Sequence, residues 1–241
     1  MRLRLASPSP AGRGPGPIAP DGSAVAMYAA WPAERAVARM LHRALPPAGS
    51  VLDLGAGTGR LAGPLAALGH PVLAVDNCPD MLARVPAGVR TTCADIGTLA
   101  LPARFSAVLL AGFLFDYSEI GRPALLRTCR RHLLPGGLVL LQRQPPEWYA
   151  GLRARSYRTG RVRVHIDEPR WMDADRVQLT IRYRIGWQCW VHQVVSRRLP
   201  DEQLPGLLAE AGLSLDGFLD DRRSWLAARA QDGPAAAPGH Q

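Results

Sequence analysis

The chain has 241 residues, 47% of them hydrophobic and 20% charged, which allows one large domain with a core and excludes a wholly disordered chain. Its 29 basic and 20 acidic residues give a net charge of +9; all 29 basic residues are arginine, a skew that a GC-rich genome produces as readily as selection for a polyanionic partner does. No apolar run reaches the ~20 residues that cross a bilayer and no signal peptide is legible at the start, so a soluble cytoplasmic protein without a membrane partner is expected.

In chain order, residues 7–22 carry Pro8, Pro10, Pro15, Pro17 and Pro20 among small side chains. Such a stretch buries too little apolar area to offset ordering, and residues 1–22 read as a disordered arm. Residues 33–45 place Val37, Met40, Leu41 and Ala44 at helical spacing before Pro46-Pro47. From Ser50 onward short apolar runs alternate with helical stretches: strands at 51–54, 72–75, 89–93, 106–111 and 138–141, helices at 58–68, 79–84 and 121–133. Pro64 sits inside the first of these helices and implies a late start or a kink. Runs such as VLDL and AVLLA are apolar on both faces, as parallel strands covered on both sides are. The fold class read from this pattern is α/β: a doubly wound, Rossmann-like, seven-stranded and mainly parallel sheet.

After Pro145 the rhythm changes to polar-apolar alternation over 161–167, 176–185 and 189–199, the mark of half-exposed antiparallel strands. These are read as an antiparallel C-terminal insertion added to the main sheet, roofing the substrate over 146–200. A helix at 201–211 and a strand near 224–228 follow, and 232–241 reads as a second disordered tail. The domain reading is therefore one unit over 23–231, with a cofactor-binding core at 46–145. The four cysteines are scattered without paired metal spacing, and no His or carboxylate pair suggests a metal.

The informative segment is Val51-Leu52-Asp53-Leu54-Gly55-Ala56-Gly57-Thr58-Gly59-Arg60, a strand that ends in a glycine turn and opens into a helix. Glycines there allow close backbone approach to a ligand, and the helix start offers unpaired N–H groups. A dinucleotide fingerprint needs its third glycine at position 60, where Arg60 stands. With an acidic residue two before the first glycine, this D-x-G-x-G-x-G turn resembles the first motif of the class I S-adenosylmethionine-dependent methyltransferases. Val75-Asp76 after the second strand, Ala94-Asp95-Ile96 after the third and Leu134-Pro135-Gly136-Gly137-Leu138 before the fifth follow in that family's order.

The resemblance implies S-adenosylmethionine as cofactor and assigns its partners. Asp53 would reach the amino group of the methionine part, and Gly55, Ala56, Gly57 and Gly59 would form the turn around it. Asp76 would accept from both ribose hydroxyls, Asn77 and Met81 would flank the adenine, Asp95 would accept from its exocyclic amine and Ile96 would pack on the ring. Gly112 and Phe113 would border the transferred methyl, and Tyr28 would close from the N-terminal side together with Trp31. For Asp76 the structural alternative is a helix N-cap, a place that Asn77 or Asp80 could also fill.

Methyl transfer from a sulfonium needs mainly alignment, so the catalytic residue is the hardest to read. Asp116, Tyr117 and Glu119 follow the fourth strand, and His192 lies on a later one; each has a structural alternative. Trp148, Tyr149, Trp171, Trp187 and Trp190 form either an apolar lid over the acceptor or core packing. Ala111-Gly112-Phe113-Leu114 lacks the Asn/Asp-Pro-Pro-Tyr/Phe turn of amino-group methyltransferases acting on nucleic acid, which favours a small-molecule acceptor methylated on O, N or C. The run Arg153, Arg155, Arg158, Arg161 and Arg163 reads most simply as a solvated basic face. RNA or protein methylation, or S-adenosylmethionine binding without turnover, stand as alternatives, in a monomer or a homodimer.

Overall fold

The computed structural model describes residues 11–117 and 120–231. It opens with strand β1 (Ala11–Arg13), helix α1 (Val25–Ala30) and helix α2 (Arg35–Ala44). The alternating region then gives β2 (Val51–Leu54), α3 (Ala62–Ala67), β3 (Val72–Asp76), α4 (Pro79–Leu82), β4 (Arg90–Cys93), β5 (Phe105–Leu110), α5 (Leu114–Tyr117), α6 (Arg122–Arg131) and β6 (Leu133–Gln142). Helix α3 starts late, at Ala62, which puts Pro64 in the first turn, where its missing N–H has no intrahelical acceptor to lose.

A short helix α7 (Pro146–Ala150) leads into β7 (Arg155–Thr159), β8 (Val162–Ile166), β9 (Arg170–Trp171), β10 (Arg176–Ile185) and β11 (Gln188–Arg197). A 3-10 turn at Asp201–Gln203, helix α8 (Leu204–Glu210), β12 (Leu213–Phe218) and β13 (Trp225–Ala230) complete the described chain.

Seven strands form the main sheet in the order β12-β13-β6-β5-β2-β3-β4, with β12 and β13 antiparallel to their neighbours and the other pairs parallel. Alternate side chains along each strand feed two cores. Leu52, Leu54, Val108, Leu110, Val139 and Leu141 pack on α6 and α8; Val51, Ala107, Leu109, Leu138 and Leu140 pack on α2 and α3. Strand β2 is the middle of the five parallel strands, and the chain proceeds first to β3 and β4 on one side, then to β5 and β6 on the other. The topological switch therefore lies between the carboxyl ends of β2 and β5, where ligands of doubly wound sheets bind.

Two expectations are corrected. The alternating strands after Pro145 do not add to the main sheet. They form a second sheet of their own in the order β1-β11-β10-β8-β7, with β9 on β10. Its inner face, Val162, Val164, Tyr183 and Trp190, packs on Ala24 and Met27, while Ile166, Val177, Leu179 and Val194 enclose Tyr149. The described part of the arm, residues 11–22, is ordered rather than loose: β1 pairs with β11 over Ala11–Arg13, and the indole N–H of Trp190 donates to the carbonyl of Pro15 at 2.8 Å. Propensity within 7–22 could not reveal this, because the partners lie some 175 residues away in sequence. Residues 1–10 and the tail 232–241 lie outside the described residues.

Candidate active site

A pocket opens at the carboxyl ends of β2, β3 and β5, roofed by the N-terminal strap. Gly55 and Gly57 come from the turn after β2, Asp76 and Asn77 from the end of β3, and Met81 from α4. Ala94, Asp95 and Ile96 follow β4, and Gly112 and Leu114 follow β5. Tyr28, Asp21, Ser23 and Ala19 close it from the strap and α1.

The glycine turn is built around left-handed backbone. Gly55 has φ +68°, and a Cβ there would run into the Leu114 side chain. Gly57 has φ +54°, and a Cβ on it would meet nothing within 4 Å, so its bare backbone faces the opening. The Gly57 N–H donates to Asp76 Oδ2 at 2.8 Å, and the Cys78 N–H donates to Asp76 Oδ1 at 2.9 Å. Asp76 thus braces both the glycine turn and the start of α4, where Cys78 is the capping residue; each oxygen keeps a lone pair for a diol. Burial pushes the Asp76 carboxyl up, against the backbone N–H groups of Cys78, Gly57 and Asn77 that hold it down.

Asp95 Oδ1 accepts the Gly97 N–H at 2.6 Å, and Met81 and Ile96 supply apolar walls. On the other side Gly112 at φ +65° is followed by Phe113 at φ +60°, a left-handed phenylalanine beside the pocket. Gln142 Oε1 accepts the Gly112 N–H at 2.9 Å and fixes that turn.

Asp53 is 2% exposed on β2 with no hydrogen bond to its carboxylate among the described residues. Burial, then the Asp76 and Glu34 carboxylates, push it up to about 8. Above the pocket Asp21 accepts from both the Ser23 N–H and hydroxyl, each at 2.9 Å, and burial raises the Tyr28 hydroxyl to about 12.

The pocket therefore brings together Tyr28, Gly55, Gly57, Asp76, Asn77, Met81, Asp95, Ile96 and Gly112 from the residues singled out in the sequence. Asp53, Ala56, Gly59 and Phe113 stand behind or beside its wall rather than in it. Gly59 is buried against Val85 and Pro86. The sequence does not mark Asp21, Ser23, Ala19, Leu114 and Ile120 as pocket residues, because they belong to a segment that reads as disordered, to its junction with α1, or to the loop after β5.

The catalytic candidates find other work. Asp116, 1% exposed, accepts from Arg122 Nη2 at 3.1 Å and from the Gln144 N–H at 2.5 Å. Burial outweighs that pair and lifts its carboxyl to about 6. Tyr117 accepts from Gln144 Nε2 at 3.2 Å, and burial raises its hydroxyl. His192 Nε2 donates to the Asp21 carbonyl at 3.0 Å, and burial favours its neutral form, which makes it a tie for the strap. None of the three lines the pocket; Glu119 lies outside the described residues.

The aromatic group does not make a lid either. Tyr149 is buried, its hydroxyl 2.8 Å from Ser196 Oγ; Trp148 and Trp171 lie against it; Trp187 stands 87% exposed. Trp31 packs edge-on between Tyr28 and Tyr183 with Arg60 over its ring.

The family model for the methyltransferase domain matches residues 51–137, the stretch from β2 to the start of β6 that carries the glycine turn and both pocket carboxylates. The likeness of the chain to solved structures runs beyond that stretch. The CcbJ methyltransferase from Streptomyces caelestis is 24% identical with a TM-score of 0.68, covering 83% of this chain and 90% of that one. The glycopeptide N-methyltransferase MtfA is 25% identical with a TM-score of 0.56, covering 81% of this chain and 88% of that one. By sequence, the cypemycin N-terminal methyltransferase of Streptomyces sp is 37% identical over 126 residues, 48% of this chain and 51% of that protein. The chain spans about half the length of the curated relative it matches. The residues around the pocket fit the cofactor that the resemblance implies: a bare glycine backbone, a carboxylate with a free lone pair on each oxygen, and an apolar slot.

Proposed function

We propose that the chain is an S-adenosylmethionine-dependent methyltransferase that methylates a nitrogen of a small-molecule acceptor. The observation that carries the reading is the bridge from the Gly57 N–H to Asp76, which sets a diol-binding carboxylate beside a backbone with no side chain in the way. Bound S-adenosylmethionine supplies a methyl group on a positively charged sulfur, already a good leaving group.

The chain's own residues then have three tasks. Asp76 and Asp95 offer acceptors to a nucleoside, and Met81 and Ile96 give its base an apolar seat. Asp53, buried and without a hydrogen-bond partner among the described residues, gives an ammonium group a carboxyl that ionises on pairing with it. Asp21, Ser23 and Tyr28 on the strap and its junction with α1 bound the space toward an acceptor and exclude water from it. None of these is a strong base aimed at the acceptor, which suits a nitrogen that reaches the site as a free amine and needs alignment within roughly 3 Å of the methyl carbon. Nitrogen is also the atom named for MtfA, and the N-terminus is the group named for the cypemycin enzyme.

The test is formation of S-adenosylhomocysteine by the purified chain with S-adenosylmethionine and a panel of primary and secondary amines, phenols and activated methylenes. Turnover confined to amines supports the reading. Tight cofactor binding with no turnover on any of them would leave a binding protein instead, and turnover on phenols alone would move the acceptor to oxygen.

A further inference from the structure

The outer face of the second sheet carries a charge pattern that neither the fold nor methyl transfer uses. Cross-strand register places Arg158 opposite Arg163 and Arg163 opposite Arg184, so three arginines share one row across β7, β8 and β10. Directly opposed like charges are unfavourable in a sheet. Yet among the described residues no carboxylate pairs with Arg158, Arg161, Arg163 or Arg184; the acid that follows β8, Asp167, is held by Arg182 and His165.

The pattern exceeds the compositional bias of the chain. Residues 155–166 and 176–197 hold eight arginines and no Asp or Glu; at the chain-wide proportion, eight arginines would come with about five acids. A cleft of about 740 Å³ lies along the row, lined by Arg158, Arg163, Arg184 and Ser156.

The same end of the sheet displays an aromatic. The β7–β8 turn, with Arg161, and the β10–β11 turn, Gly186-Trp187, emerge side by side, because Arg163 and Arg184 are register partners. Gly186 takes φ +58° in this two-residue loop, and Trp187 beyond it is 87% exposed.

We infer that this face binds single-stranded nucleic acid, with Arg158, Arg161, Arg163 and Arg184 along its phosphates and Trp187 stacked on a base. Stacking platforms beside basic grooves are how unpaired strands are held without sequence readout. An anionic bilayer fits less well, since Arg158, Arg163 and Arg184 line a cleft on the face and of the four Arg161 alone stands at a hairpin turn. An acidic peptide would use the arginines but leave Trp187 idle.

The test is fluorescence anisotropy of the full chain with fluorescein-labelled oligouridylate and oligothymidylate of about 12 nucleotides, a length within known site sizes. Four phosphate contacts give a salt slope near −3, so affinity should fall about 50-fold between roughly 50 and 200 mM salt, but only about 7-fold for the Arg163→Ala/Arg184→Ala variant. Trp187→Ala should bind about tenfold more weakly and Trp187→Phe should recover most of the loss. Thermal melting serves as the check that each variant is folded. The two probes distinguish RNA from DNA as the source, and binding of either supports the inference. It is overturned if neither oligonucleotide binds at the lower salt, if Trp187→Ala binds as the wild type does, or if polyglutamate or phosphatidylglycerol vesicles are bound as tightly.

Discussion

Asp53→Asn separates the ligand role of the buried carboxyl from its cost to the fold. In the folded chain burial and two neighbouring carboxylates raise this carboxyl from 3.8 to about 8. Between those values the folded state holds a proton that the unfolded state has released, so stability falls as pH rises, by about 1.4 kcal/mol per pH unit from this group alone. From about pH 6 to about pH 8 the loss amounts to about 2 kcal/mol once the levelling near the folded value is included. An amide at this position does not titrate and would carry no such dependence. Urea denaturation of the wild type and the Asp53→Asn variant at about pH 6 and about pH 8, without cofactor, should show the wild type losing about 2 kcal/mol more than the variant over that interval. Equal losses would mean that Asp53 is ionised in the free protein and that its partner has been overlooked. The same carboxyl should make cofactor binding depend on pH: if it must ionise to meet an ammonium group, wild-type affinity for S-adenosylhomocysteine rises toward about pH 8, and the variant's does not.

Other sites give sharper, smaller tests. Asp116→Ala removes the carboxylate shared by the largely buried Arg122 guanidinium and the Gln144 N–H, while the Phe115, Arg197 and Arg198 carbonyls still accept from Arg122, and should cost about 3 kcal/mol in denaturant unfolding; a loss below about 1 kcal/mol would show that the pair is solvated. Gly55→Ala combines a φ of +68° with a clash against Leu114, so S-adenosylhomocysteine affinity should drop at least about tenfold while the circular dichroism spectrum is retained. Trp190→Phe removes the indole donor to the Pro15 carbonyl. The strap should then open more often, seen as faster proteolysis within residues 11–22 and weaker cofactor binding, with about 1 kcal/mol lost at most from the hydrogen bond.

How much was legible in the sequence follows from the range of the interactions. VLDL, VLAV and AVLLA are local patterns with one solution, a doubly covered parallel strand, and their boundaries came within a residue or two. The glycine turn and Asp76 were legible because the left-handed backbone at 55, 57 and 59 demands glycine and the carboxylate ends its strand. The strap was not, since its order comes from pairing β1 with β11 and from anchors on Trp190 and His192 at the far end of the chain. Asp21 and Ser23 were missed as pocket residues for that reason. Asp116 illustrates the converse: after the fourth strand an acid reads as catalytic, and only the fold reveals that Arg122 and Gln144 claim it. Strand β12 is not among the strands expected from the sequence; it is an edge strand that carries Gly217 at its bulge.

On our reading the Gly57–Asp76 corner holds the nucleoside of S-adenosylmethionine. Calorimetric titration of the wild type and Asp76→Ala with S-adenosylmethionine, S-adenosylhomocysteine and NAD tests it most directly. Micromolar binding of the first two to the wild type and no comparable binding of NAD are expected, with a loss of about 100-fold or more in the variant, where the ligand's hydroxyl pair loses a charged acceptor. Undiminished binding to a folded Asp76→Ala protein would contradict that reading.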